Sequence, residues 1–303
     1  MKKVLLLMAL IIAVLAFTAC ADTPAAPVAP AVTEDVAEPP AEEPAEETPA
    51  DVVETNDEEA EPAAPSALQM DRIVLGTNAG FPPFEFIADA GQGRFGQYSG
   101  IDIAIGMRIA ERLGAELVIH DAEFAGLIME LNAGTIDFIA AAMTIRPDRK
   151  EHVHFSTPYF TAMQYIVVPY ADTTITSVED LAGARIGVQL GTTGEFFVQD
   201  YVDYEDLLSY SLIAQGFMEM RRGGLDAIVV DSVVAMMFVN QHPDELRIIR
   251  DNDAFASEHY GIAVRHEDTD LLAVINEVLE EMLSGGEIDA LFGYYSERLN
   301  QAE

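Results

Sequence analysis

Twice along this chain short apolar runs alternate with amphipathic helical stretches, and that alternation restricts the fold more than any single residue does. Residues 72–78 read as a strand. Ile101, Ile105, Ile109 and Leu113 then recur at helical spacing, with Ser99 or Asp102 as candidate N-caps and Gly114 as the stop. A strand at 115–119, a helix at 124–133 with Leu127, Ile128 and Leu131 inward, and a strand at 136–140 follow. Strand, helix, strand, helix, strand of this size predicts a parallel sheet covered on both faces. The pattern restarts at Ser177, where Ser177–Asp180 resembles a capping box opening a short helix. Strands at 184–188, 225–230 and 246–249 alternate with helices after Gly191 and at 211–222 and 232–240. A strand at 260–264 and amphipathic helices at 268–283 and 287–299 complete the chain, giving two α/β units.

The first 67 residues stand outside this pattern. Lys2-Lys3 precede an apolar run from Val4 to Phe17, too short for a comfortable membrane span and suited to a secretory signal. It ends in Phe17-Thr18-Ala19-Cys20, which resembles the lipobox of bacterial lipoproteins although leucine is usual at the Phe17 position. Cys20, the only cysteine of the chain, is the expected lipidation site. A single cysteine also excludes an intramolecular disulfide and a cysteine-rich metal site. Residues 21–67 contain no Lys, Arg or aromatic residue and are built of Ala, Pro, Glu, Asp, Thr and Val. Such a composition does not offset chain entropy and is expected to be a disordered tether, spanning on the order of 40 Å as a coil. The net charge of −36 argues against nucleic acid and against electrostatic docking on anionic lipid.

The chemistry concentrates in residues 136–149. An apolar strand runs into Ala140, Ala141 and Ala142, then Thr144, then Arg149. Backbone amides, a hydroxyl and a guanidinium fork just past the carboxyl end of a parallel strand can hold a small carboxylate. Gly191–Glu195 offers two hydroxyls and the free amides of a helix start, a second anion site, and lacks the lysine of a nucleotide-binding loop. Phe81, Phe84 and Phe86 lie around Pro82-Pro83, either plugging the core edge or walling a ligand. His152 and His154 supply two imidazoles with no third ligand nearby, so no metal or cofactor is expected.

Taken in order, GTNAGFPPFEF (Gly76–Phe86), GIDIA (Gly100–Ala104), FIAAAMTIRPDR (Phe138–Arg149), FSTPYF (Phe155–Phe160), GVQLGTTGE (Gly187–Glu195), LDAIVVD (Leu225–Asp231) and HYGIAV (His259–Val264) resemble the solute-binding proteins of amino-acid ABC importers, family 3 of the extracellular solute-binding proteins. The resemblance implies a two-lobed, periplasmic-binding-protein-like α/β fold of type II, with two parallel-type sheets flanked by helices and joined by two crossing strands. It places lobe one at 70–160 and 265–303, lobe two at 165–255, and the crossings near 161–164 and 256–264. It implies that Arg149 takes a ligand α-carboxylate, helped by Thr144 and by helix-start amides at Thr192 and Thr193, and that Asp231 takes the α-ammonium. Phe81 and Phe124 flank the ligand side chain, Ala141 and Ala142 line the pocket with main-chain contacts, and Gln189 meets the ligand from lobe two. Asn78 stands where binders of basic amino acids often carry an acid. An amide there cannot neutralise a cation, which leans towards a polar uncharged ligand.

The expected protein is a monomeric binder with no chemistry of its own, anchored by lipid on the outer face of the cytoplasmic membrane and delivering to a permease. Two other readings compete. A dehydratase of the same fold would use Glu195 as its acid. A sensory module would need a membrane span or signalling domain after Leu299, and the sequence shows neither.

Overall fold

The computed structural model describes residues 68–88 and 97–301. The expected signal segment, the Cys20 lipidation site and the tether lie outside the described residues. The first sheet has the strand order Glu116–Asp121, Arg72–Thr77, Phe138–Ile139, Ala263–Val264, His154–Phe155. Arg72–Thr77 pairs parallel with both of its neighbours, Ile73 opposite Leu117 and Leu75 opposite Phe138. Ala263–Val264 enters antiparallel. The second sheet has the order Asp206–Tyr210, Arg185–Gln189, Ala227–Asp231, Gln164–Pro169, Leu246–Ile249. Its first three strands are parallel, whereas Gln164–Pro169 runs antiparallel to both of its neighbours. Each sheet is therefore mixed rather than purely parallel, because the chain that crosses between lobes enters each sheet against the direction of its other strands.

Helix Ile101–Leu113 buries the stripe expected of it: Ile101, Ile105 and Ile109 are fully buried and Leu113 nearly so. Each such side chain contributes about 1.5–3 kcal/mol of transfer free energy. Gly114, at φ 65°, ends the helix in a left-handed conformation that costs glycine little. Its N-cap is Gly100, without side-chain capping. Asp102, an expected cap, instead turns its carboxylate inward to the Ala142 N–H (2.7 Å) and the Tyr159 hydroxyl. Half of the expected capping box at Ser177 forms: Asp180 reaches back to the amides of Ser177 and Thr176, while the Ser177 hydroxyl turns to the Asp180 carboxylate. The helix expected at 124–133 begins as a 3-10 turn, Phe124–Gly126, and becomes α-helical over Leu127–Asn132. Only Phe138–Ile139 of the strand expected at 136–140 pairs as a strand.

The chain leaves the first sheet through Phe160–Ala162 and returns through Glu258–Tyr260, and these two strands pair antiparallel, Glu258 opposite Ala162. Phe84, fully buried, packs edge-on against Phe160 and Tyr260, at 4.9 and 5.1 Å between ring centres. Phe86 packs edge-on against Tyr295. Phe84 therefore braces the base of the crossing strands, while Phe86 packs on the C-terminal helix. Helix Thr269–Ser284 lies against Ile101–Leu113, and Glu287–Gln301 packs beside it.

Candidate functional site

Between the two sheets, Phe81, Glu85, Phe124, Ala141, Ala142, Thr144 and Arg149 face Gln189, Thr192, Thr193 and Asp231 around one narrow, partly open space. Every residue expected to meet the ligand lines it except Asn78, and Glu85 joins them. Asn78 is buried just behind. Its Nδ2 donates to Ala122 O at 2.7 Å, and its Oδ1 accepts from Gln189 Nε2 at 2.8 Å, which ties the two sides together.

Arg149 sits in the four-residue helix Pro147–Lys150, which a proline at its first position starts. Its guanidinium is 6% exposed and lies over the Phe124 ring at 5.2 Å. Nη1 donates to Thr144 O at 2.9 Å, and Nη2 donates to Gly191 O at 3.0 Å on the other side of the cleft. Burial, with Arg146 nearby, lowers its pKa to about 10, so it remains a cation at neutral pH. A guanidinium has five donors, so two commitments to carbonyls leave three for a carboxylate.

The second anion-binding element is the start of helix Thr193–Tyr201. Thr192 caps it, accepting from the Glu195 N–H while donating to Gln189 O at 2.7 Å. The Thr192 hydroxyl is thereby spent on the backbone, and the amides of Thr193 and Gly194 are the ones a helix start leaves without intrahelical acceptors. Gly194 is required there: a Cβ would lie 2.9 Å from Gln164 Oε1 and 3.0 Å from Val229 O. Glu195, the candidate acid of the enzyme reading, is buried, accepts from the Gly191 N–H at 2.6 Å and bonds Ser209. It holds the turn and is not among the residues lining that space.

Asp231 closes the second sheet's strand Ala227–Asp231 and is the N-cap residue of helix Ser232–Gln241, though its side chain does not cap. Its carboxyl accepts from the Tyr260 hydroxyl and from Gln164 Nε2 (2.6 Å). Burial raises its pKa to about 7, with Glu258 adding to the rise and those two hydrogen bonds opposing it. Ala142 has φ 47°, a left-handed conformation costly for a residue with a Cβ, and its N–H is taken by Asp102. The main-chain contact expected of Ala142 is thus limited to its carbonyl.

Two acidic residues of the site were not found from the sequence. Glu85, 1% exposed, lies in a three-residue strand between two phenylalanines. Burial, with Asp102 adding, holds its carboxyl well above the usual range, and its Oε2 has no hydrogen-bond partner. Its place in FPPFEF, an acid inside an apolar run, was the available signal. Glu258 lies on the returning crossing strand, and its Oε2 accepts from Thr144 Oγ1 (3.1 Å), Thr193 Oγ1 (2.8 Å) and Gln164 Nε2 (3.3 Å).

The cleft thus offers a guanidinium and helix-start amides for an anion, a buried carboxyl for a cation, and aromatic walls between. Comparison with known proteins agrees with this geometry. The L-cystine-binding protein TcyJ of Escherichia coli (strain K12) is 30% identical over 220 residues, 72% of this chain and 80% of its own. A mutant of the arginine-binding protein ArgBP from T. maritima is 41% identical, with a TM-score of 0.67 over 74% of this chain and 95% of its own. An ancestral arginine-binding protein bound to arginine is 37% identical, with a TM-score of 0.69 over 75% of this chain and 99% of its own. A structure of an ancestral arginine-binding protein bound to glutamine matches as well, at the same identity and TM-score. The family model for bacterial extracellular solute-binding proteins, family 3, matches residues 73–297, and the chain belongs to that family.

Proposed function

We propose that this protein captures a free amino acid between its two lobes and delivers it to an ABC permease. Arg149 and the amides of Thr193 and Gly194 take the α-carboxylate, and Asp231 takes the α-ammonium. Phe81 and Phe124 flank the side chain, with Gln189, Ala141 and Ala142 completing the wall. The observation that carries the reading is Arg149 and Asp231 lining one space from opposite sheets. A zwitterion satisfies both only when the lobes are together, so its binding favours closure. We assign lobe one to 70–160 and 265–303 and lobe two to 165–255, joined by crossings near 161–164 and 256–264. The N-terminal segment acts as a lipoprotein signal with Cys20 acylated, and residues 21–67 tether a monomer to the outer face of the membrane.

The ligand's side chain is polar and uncharged in this reading. Burial, with Asp102 adding, holds the carboxyl of Glu85 at the pocket wall well above the usual range, which disfavours its charged form and suits a neutral partner. One observation favours a cationic side chain instead: the unpartnered Oε2 of Glu85, which a guanidinium or imidazolium would occupy. Calorimetry with L-glutamine and L-arginine, in buffers of differing ionisation enthalpy, separates the two. Tighter binding of glutamine supports the uncharged ligand. Tighter binding of arginine, with one more proton released than for glutamine, supports the cationic one. Absence of binding by any amino acid in a thermal-shift panel would refute both. The role of Glu195 in holding its own turn supports a binder rather than a dehydratase. Turnover of prephenate, lost in Glu195→Gln, would overturn that.

A further inference from the structure

Glu258 is carried by a crossing strand and belongs to neither side of the cleft, yet its carboxylate holds one hydroxyl from each. Thr144 Oγ1 approaches from the Arg149 side, and Thr193 Oγ1 from the start of the second lobe's helix. The Gln164 amide completes the cluster, its Nε2 reaching Glu258 at 3.3 Å, Thr193 Oγ1 at 3.0 Å and Asp231 at 2.6 Å. Each hydroxyl donates to the same Glu258 oxygen, so both spend their single proton there. What they turn towards the cleft is lone pairs. Two threonines next to a carboxylate-binding arginine look like donors for the same carboxylate. With Glu258 in place they are acceptors, and an acceptor suits the N–H groups of an ammonium.

We propose that Glu258 is a positioning residue that fixes the polarity of Thr144 and Thr193, so that with Asp231 they form an acceptor-only subsite for the ligand's ammonium. The proposal rests on the amino-acid reading above and goes beyond it, since it assigns a role to a residue that lies outside the pocket wall. Because one hydroxyl comes from each side, the same carboxylate also ties the closed arrangement together. The charged and titratable groups around the subsite are Asp231, Tyr260 and Arg149, and the Gln164 amide lies between the two carboxylates.

Glu258→Leu is the test. Leucine keeps much of the bulk but offers no acceptor, so both hydroxyls lose the one oxygen they share and are free to aim their protons into the cleft. Affinities of parent and variant are measured by calorimetry for L-glutamine and L-arginine and for the same molecules lacking the α-amino group, glutaramate and 5-guanidinopentanoate. The variant is expected to bind the better amino acid at least tenfold more weakly and the matching desamino acid no more weakly than the parent does, with the unliganded melting temperature within a few degrees. Thr193→Val should give a comparable loss, and the double variant no more than the larger single one, because both substitutions remove one shared interaction. This cycle decides the matter if the desamino acids bind below detection. Equal loss for both ligands, an unchanged affinity for the amino acid, or additive losses in the double variant would overturn the proposal. A parent protein that binds neither amino acid would overturn the amino-acid reading with it, which distinguishes the two failures.

Discussion

Replacing Arg149 with alanine removes the one buried guanidinium of the cleft, and the structure sets the size of the effect. Two of its five donors are held by Thr144 O and Gly191 O, and the remaining three are enough for a two-point grip on a carboxylate. At 6% exposure, water does not take its place when the lobes are together. Truncating one partner of such a desolvated pair costs about 2–5 kcal/mol. At about 1.4 kcal/mol per factor of ten, the midpoint corresponds to a loss of about 300-fold in affinity. The fold should tolerate the change. The two carbonyls lose a charged donor, about 1–3 kcal/mol at most, while the burial that lowers the arginine's pKa to about 10 no longer has to be offset. Calorimetry with the amino acid that binds the parent best, with circular dichroism melting as the control, measures both. Arg149→Lys, which keeps the charge and loses the fork, should fall between. An affinity for Arg149→Ala within threefold of the parent, at unchanged melting temperature, would refute the assignment of Arg149 to the carboxylate.

The remaining expectations are narrower. Because burial raises the Asp231 pKa to about 7 and an ammonium needs the ionised form, affinity should fall below about pH 7, approaching tenfold per pH unit; a flat profile from pH 5 to 8 would show that Asp231 does not meet the ligand's charge. The sign for unliganded stability is opposite. A carboxyl whose folded pKa lies above its ordinary 3.8 stabilises the fold when protonated, and that contribution is lost as pH rises towards 7, so the ligand-induced rise in melting temperature should be largest near pH 8. Asp102→Ala strands the Ala142 N–H and the Tyr159 hydroxyl in a buried setting and should lower stability by at least about 2 kcal/mol; a melting temperature within 2 °C of the parent would contradict this.

The family motifs and the periodicity picked out residues that the fold gathers around one space. Asp231 and the helix start at Thr193 follow apolar strands directly, whereas Arg149 lies in a short helix ten residues past its strand and was reached through the FIAAAMTIRPDR motif. Only the fold shows that Gln164–Pro169 runs antiparallel to its neighbours, since a continuous apolar run carries no direction. Asn78 was read as a ligand contact, and the fold sets it one layer back, bonded to Gln189. Asp102 looked like a helix cap because helix starts favour Asp; its inward turn to the strained Ala142 depends on a strand 40 residues away.

Sequence alone therefore determined which segments are buried and which residue types stand at strand ends, because burial and turn chemistry are written in neighbouring residues. Tertiary structure decided which of the 52 acidic residues of this chain matter. Glu85 and Glu258 look like any other glutamates in their segments. One becomes a carboxyl held well above its usual range in a pocket wall and the other the shared acceptor of two hydroxyls only because distant strands remove water from the first and bring two hydroxyls to a single oxygen of the second. A carboxylate's role is set by what surrounds it in space, and that is not encoded within any short window of the chain.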